Sequence, residues 1–376
     1  MNKTIAGSRK RIFYIASHIH KSLAFEWIAV RLKNQCDLTF VLLNPAESEL
    51  ENFLKKNDVR VIRFTYSKKK LPFVFLRLLW LLIKDRPAIV HTHLFDATLI
   101  GLTAAWITRI KKRIYTRHNS TYHHLYHPKA VKYDRWTNFL ATEIISISQA
   151  TDTVLIQQEK VNPSKVVKIP HGFDFNDFNV PSFELVQRVQ AKWNIPSVAP
   201  RIGIVARHIE WKGIQYIIPA FKEFLKSNPE ACLILANATG PYNTVILELL
   251  KDVPSKNKIL IPFEEDISAL YRLMDVYVHA PIDSTCEAFG QTYIEALASG
   301  IPSVFSLSGI AKEFIEHKKN AWVVDFKDVA GIRGGMQKLW EDKELSSRLI
   351  ENGRQTVISR FEISTMITRL MQVYDK

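Results

Sequence analysis

Residues 201–236 read RIGIVARHIEWKGIQYIIPAFKEFLKSNPEACLILA. Two short apolar, β-branched runs, Ile202–Ala206 and Cys232–Ala236, flank a longer amphipathic segment. A strand covered on both faces is apolar throughout, whereas a helix covering it is apolar on one side only, so this alternation predicts a βα unit of a parallel sheet. The fold class expected from it is α/β.

The same rhythm runs from end to end. In the second half, strands are expected at Ile259–Ile261, Val276–Ala280, Pro302–Phe305 and Trp322–Val324 as well. In the first half they are expected at Arg11–Ala16, Leu38–Leu43, Val59–Phe64, Ile89–His93, Ile114–Thr116, Glu143–Ser148 and Val166–Ile169. Two doubly wound, Rossmann-like parallel sheets in tandem follow, and 376 residues suit two domains. Pro170-His171-Gly172-Phe173-Asp174, then Pro181, Pro196 and Pro200, punctuate the chain between the sheets. The expected organisation is a first domain over 1–171, a hinge and linker over 172–200, a second domain over 201–360, and a helix over 361–376. That last segment follows the final strand of its domain and is expected to pack elsewhere, back on the first domain.

Composition is globular, 47% hydrophobic and 23% charged. Cys36, Cys232 and Cys286 are too widely spaced for a disulfide framework or a metal-ligand pair, which fits a reducing cytoplasm. Behind Lys3, Arg9, Lys10 and Arg11 the apolar stretch is only Ile12 to Ala16, a strand and no signal peptide. The most apolar segment, Leu71 to Ile83, is interrupted by Arg77 and is shorter than the roughly 20 residues a membrane span needs. Residues 1–170 hold 28 Lys+Arg against 12 Asp+Glu, and the remainder 23 against 25. So one-sided a field points to an anionic partner: acidic lipid, an acidic or phosphorylated acceptor, or nucleic acid. A basic surface that serves solubility alone is the plainer alternative.

Open parallel sheets bind ligands beyond the carboxyl ends of their strands, and with two sheets the cleft between domains is the expected site. Arg207 follows Ile202–Ala206, and Lys212-Gly213 comes where the next helix begins. Two cations beside a helix N-terminus suit a diphosphate, although a solvated Arg and Lys at a helix start have the same appearance. After Val276–Ala280 comes Glu287-Ala288-Phe289-Gly290-Gln291-Thr292-Tyr293-Ile294-Glu295. A glycine at a helix start lets backbone amides approach a phosphate, while carboxylates pair naturally with sugar hydroxyls. Helix-capping carboxylates favoured by the macrodipole are the bland reading of the same segment.

These residues resemble the retaining glycosyltransferases of family four, whose fold is called GT-B. The resemblance rests on Glu287 to Glu295 as the E-x7-E element, continued through Ala296 to Pro302, on Arg207 and Lys212-Gly213, on Pro170 to Asp174 as the hinge, and on Ser308-Gly309-Ile310 with Glu313. It covers about residues 165–325, and more loosely the chain from Ile89. In the first domain, Val90-His91-Thr92-His93 looks like the family's histidine-bearing strand, and Tyr115-Thr116-Arg117-His118-Asn119 like the segment carrying its active-site histidine. What the resemblance implies is transfer of a hexose-type sugar from a nucleotide-diphosphate donor, a UDP- or GDP-sugar, to a glycan or lipid-linked acceptor. Arg207, Lys212, Phe289, Gly290, Gln291, Thr292 and Glu295 would bind the donor. Glu287 and His118 would act at the sugar, with retention by front-face attack. No Asp-x-Asp pair stands in a suitable place, so no metal and no other cofactor is expected. Polysaccharide or lipopolysaccharide biosynthesis is the setting implied.

Two loops depart from the family. The loop after the first strand, Ala16-Ser17-His18-Ile19-His20-Lys21, has no glycine, and Ala236-Asn237-Ala238-Thr239-Gly240-Pro241 lacks the usual glycine pair. His123, His124 and His127 cluster without a carboxylate or cysteine at ligand spacing, which favours an acceptor-side loop over a metal site. Cys286 has no evident partner base and reads as a packed thiol. A nucleotide-sugar 2-epimerase of the same fold, or a non-catalytic module binding anionic membrane or nucleic acid, are the competing readings. Neither accounts for Glu287–Glu295 as well, and nucleic acid is not the partner expected. No G-x-G-x-x-G follows either domain's first strand, which speaks against a dehydrogenase. Lys68, Lys69 and Lys70 lead into the apolar helix from Leu71, with Lys111-Lys112-Arg113 in the same domain. Phe73 and Phe75 beside the three lysines suit the surface of an anionic bilayer, so peripheral attachment to the inner face of the membrane is expected.

Overall fold

A computed structural model of the chain describes residues 9–178, 181–197 and 200–376. It divides into two compact units, one running through Phe173 and taking in Ile363–Lys376, the other Asp174–Glu362.

The first unit is a seven-stranded sheet of β1 (Arg11–Ser17), β2 (Asp37–Asn44), β3 (Arg60–Thr65), β4 (Ile89–His93), β5 (Lys112–Arg117), β6 (Glu143–Ser146) and β7 (Val166–Lys168). Their order is β3-β2-β1-β4-β5-β6-β7, parallel throughout. The second unit has β8 (Arg201–Val205), β9 (Cys232–Ala236), β10 (Lys258–Ile261), β11 (Val276–His279), β12 (Ser303–Phe305) and β13 (Trp322–Val323), in the order β10-β9-β8-β11-β12-β13 and again all parallel. Each strand expected from an apolar run is present within a residue or two at most ends. In both sheets the winding reverses beside the first strand, between β1 and β4 and between β8 and β11. The loops leaving those strands are where an open α/β sheet takes its ligand.

One face of the first sheet is covered by helices Leu23–Leu32 and Glu49–Lys56, together with Ile363–Asp375. The last of these buries Ile363, Met366, Ile367, Leu370, Val373 and Tyr374, an apolar stripe at helical spacing, in the same core as Ile12, Tyr14 and Phe40. The other face carries Leu71–Asp85 and Phe95–Ile107. Leu71–Asp85 buries Val74, Leu78, Leu81 and Leu82 and leaves Phe73, Leu76, Trp80 and Ile83 exposed. Phe75 does not join Phe73 at the surface: it packs against the buried cluster. Two residues along a helix is about 200° of rotation, so the two rings point apart. No helix among the described residues is long and apolar enough to cross a membrane.

Candidate functional site in the second unit and a histidine cluster in the first

At the switch point of the second sheet, Arg207 stands two residues beyond the end of β8 with an exposed side chain, and a short turn, Glu210–Lys212, leads into helix Ile214–Ser227. Gly213 joins them at φ +73°, and a Cβ there would lie 1.8 Å from the carbonyl oxygen of Ala280. Only glycine meets both conditions, and the close approach brings Lys212 beside the loop leaving β11. The Lys212 ammonium bonds the Glu287 carboxylate at 2.6 Å. His279, the last residue of β11 and fully buried, places Nε2 3.4 Å from the same oxygen.

Glu287 is itself 7% exposed. Burial alone would push its carboxyl up, but the charge and hydrogen bond of Lys212, with His279 close by, outweigh burial and hold it at about 2. Ser308 Oγ accepts the Glu287 N–H at 3.1 Å, and the Ile310 N–H donates to the Phe289 carbonyl at 3.0 Å, so the Ser308-Gly309-Ile310 loop braces the whole segment. Gly290 (φ +86°) then opens helix Gln291–Ala298. The N–H groups of Gln291 and Thr292 begin that helix with no hydrogen-bond partner among the described residues. Phe289 is buried, with its ring against Phe361 and its carbonyl taken by Ile310. Glu295, half-buried, accepts a bond from the Tyr271 hydroxyl at 2.9 Å. Burial pushes its carboxyl up, against the pull of Tyr271 and Lys212.

The structure thus joins Lys212 to Glu287 directly and sets Gly290, Gln291 and Thr292 at the adjoining helix start. Arg207 takes no ion pair or side-chain hydrogen bond among the described residues. Cys286 is a packed thiol that bonds the Asp283 carbonyl at 3.2 Å, and burial pushes it up to about 11. His279 was not singled out in the sequence. Its one signal is that it ends a strand at the switch point.

In the first unit, His118 follows β5 and sits beside His93, the last residue of β4. His93 Nδ1 and His118 Nε2 are 3.1 Å apart. The ring of His93 stacks on Tyr14, and that of His118 on His171. His91 is wholly buried, with Nδ1 2.7 Å from the Tyr374 hydroxyl and Nε2 2.9 Å from Thr116 Oγ1. Tyr374 in turn donates to Tyr14 at 3.1 Å. Burial draws His91 down to about 3 and His171 to about 4, and it holds His93 and His118 well below the ordinary histidine value, so all four are neutral at physiological pH.

Beneath this cluster Arg117 is buried between Asp134 at 3.0 Å and Glu159 at 2.6 Å. His123 and His124 meet the same two carboxylates, at 2.7 and 3.1 Å. The carboxylates absent at local ligand spacing therefore arrive through the fold, but they are taken by Arg117. Among the described residues no group of three or more His, Cys, Asp or Glu side chains has metal-binding geometry. A cavity of about 230 Å³ opens here, lined by Phe95, Tyr122, Arg117, His118, His123 and Asp134 among others. Leu94, also in its wall, holds φ +67°, a strained conformation for leucine. Lys68, Lys69 and Lys70 form an exposed turn elsewhere in this unit, at the start of Leu71–Asp85.

The two glycine-poor loops are built by other means. His18 takes φ +55° in the first, where Asn44 bonds both the N–H and the carbonyl of Ile19, and Asn237 takes φ +59° in the second. Residues 27–177 match the family described as Glycosyltransferase Family 4, and residues 186–356 that described as Glycosyl transferases group 1. The chain is 26% identical, over 80% of its own length and 80% of the relative's, to the capsular polysaccharide biosynthesis glycosyltransferase CapM of Staphylococcus aureus. It is 20% identical to UDP-Gal:alpha-D-GlcNAc-diphosphoundecaprenol alpha-1,3-galactosyltransferase of Escherichia coli, over 78% of this chain and 76% of that one. In fold it is similar to Anabaena Alr3699/HepE, solved in complex with UDP and glucose, with a TM-score of 0.85 at 19% identity over 97% of this chain and 99% of the other.

Proposed function

The chain belongs to the GT-B glycosyltransferases of family four, and from that premise we propose that it is a retaining, metal-independent transferase moving a hexose-type sugar from a UDP- or GDP-sugar to a glycan or lipid-linked acceptor. The observation that carries the proposal is the Lys212–Glu287 pair beside an open helix start at Gly290. In it a cation and the N–H groups of Gln291 and Thr292 offer themselves to a diphosphate, with Arg207 as a second cation free to reach it. As the glycosidic bond breaks, these groups stabilise the leaving diphosphate where a metal would otherwise serve. Glu295 takes the ribose hydroxyls, and Glu287, kept ionised by Lys212, takes hydroxyls of the transferred sugar. His118 is neutral, and it positions and polarises the sugar without acting as nucleophile. The relatives named for capsular polysaccharide and for a diphosphoundecaprenol acceptor support a setting in envelope polysaccharide synthesis.

The acceptor side is assigned to the basic first unit, met at an anionic membrane surface on the cytoplasmic side. Lys68–Lys70 and the exposed Phe73, Leu76, Trp80 and Ile83 support that assignment, since each basic residue near an acidic bilayer contributes on the order of 1 kcal/mol. The function is tested by following a nucleotide-sugar donor by NMR with and without lipid-linked and glycan acceptors. Transfer with the donor's anomeric configuration kept is the expected result. Inversion of that configuration refutes the retaining mechanism, and a donor epimerised at C2 with no acceptor present selects the epimerase.

A further inference from the structure

His93 and His118 share one proton in their 3.1 Å contact, and both rings are neutral. A neutral imidazole carries a proton on one nitrogen only, so the contact admits two arrangements. In one, His93 Nδ1–H donates to His118 Nε2, which puts the proton of His118 on Nδ1. In the other, His118 Nε2–H donates to His93 Nδ1, which puts the proton of His93 on Nε2.

The surroundings of His93 distinguish the two. Its Nε2 is buried and has no hydrogen-bond partner among the described residues. The ring lies against Tyr14 and His91 and edge to face with Phe25, and none of these neighbours hydrogen-bonds Nε2. The second arrangement would strand an N–H there, and the first leaves only a lone pair unmet. Orphaned buried donors are the rarer of the two in folded proteins, and an N–H over an aromatic face replaces little of the lost bond. Among the described residues His118 Nδ1 has no hydrogen-bond partner, and its half-buried ring leaves that atom accessible.

We infer that His93 is a positioning residue for sugar transfer: it donates Nδ1–H to His118 Nε2, fixes His118 as the Nδ1–H tautomer, and so makes Nδ1–H the donor that meets the ligand. This rests on the proposed role of His118 at the sugar. His91 backs the arrangement, since its ring packs on His93 with centroids 4.3 Å apart and is itself held at both nitrogens, by Tyr374 and Thr116. The C-terminal helix is in this way tied to the orientation of His118.

The test combines a spectroscopic and a kinetic readout on the full chain. Nitrogen-15 shifts of the histidine rings in the ligand-free protein should place the His118 proton on Nδ1, and in His93→Leu the two His118 nitrogens should move toward tautomer-averaged values. His93→Leu should lower kcat by about tenfold or more with the donor KM within about twofold, and His93→Asn, whose amide N–H falls near the place of Nδ1–H, should recover most of the loss. A His118 proton on Nε2, or shifts unmoved in His93→Leu, overturns the inference, as does Asn performing no better than Leu. Turnover unchanged in His118→Ala overturns instead the role of His118 on which it rests, and the ring shifts separate the two failures.

Discussion

Replacing Lys212 by Met keeps most of the stem and removes the charge that holds Glu287. The carboxylate is 7% exposed, and its other ion-pair contact among the described residues is His279 at 3.4 Å, itself held neutral by burial. Breaking a buried pair by deleting one member typically costs about 3–5 kcal/mol. His279 can take up part of the lost interaction, which sets the expectation near the lower end, about 3 kcal/mol. For a unit of this size that is a fall in Tm of roughly 6–12 °C. The sign with pH follows from the carboxyl: it lies at about 2 when folded against an ordinary 4.5, so its contribution is fully present above about pH 4.5 and is lost as pH falls toward 2. Urea denaturation followed by tryptophan fluorescence at pH 7 and pH 4 measures both effects. Lys212→Met should be destabilised at pH 7, the gap to the parent should narrow on acidification, and Lys212→Met combined with Glu287→Gln should recover most of the loss. A single variant as stable as the parent, or a double variant no better than the single, would mean that Lys212 does not stabilise a buried Glu287 carboxylate.

Other outcomes are expected in the same system. His118→Ala should fold and bind nucleotide sugar normally yet transfer at least about tenfold more slowly, as read by steady-state kinetics; unchanged turnover removes it from the mechanism. Gly213→Ala meets both a left-handed φ and the Ala280 carbonyl, so it should lower stability by about 2 kcal/mol or more and weaken donor binding in calorimetry. Activity should survive EDTA, and strict dependence on added magnesium or manganese would contradict the metal-independent scheme. Sedimentation with liposomes should require acidic lipid, weaken at high salt and fall when Lys68, Lys69 and Lys70 become serine; equal binding to neutral vesicles, or none to either, counts against the membrane surface.

The strands were legible because each parallel strand is buried on both faces and so leaves an uninterrupted apolar run, as in Cys232–Ala236. Arg207, Lys212 and the Glu287–Glu295 segment were legible because ligand chemistry in such sheets sits in the loops after strands. What the sequence withheld came from long-range packing. Tyr374 reaches His91 across 283 positions through a helix that packs on the first unit, and nothing local marks its hydroxyl as part of a histidine cluster. Asp134 and Glu159 come to His123 and His124 from 11 and 35 residues away. In the sequence His279 is only a strand end, and Phe75 lies two residues from Phe73 although helix rotation turns it inward. The left-handed His18 and Asn237 explain how two loops dispense with the family's glycines, since both residues adopt positive φ more readily than most.

The proposed function requires that a nucleotide sugar bind at Lys212, Glu287, Glu295 and the helix opened by Gly290. Thermal shift of the parent and of Glu295→Ala across a panel of UDP-, GDP- and ADP-sugars tests it most directly, since a donor that binds only the folded state raises Tm. A UDP- or GDP-sugar should raise Tm of the parent, and the rise should be lost or sharply reduced in Glu295→Ala. No shift with any nucleotide sugar, or an equal shift in both proteins, would contradict it.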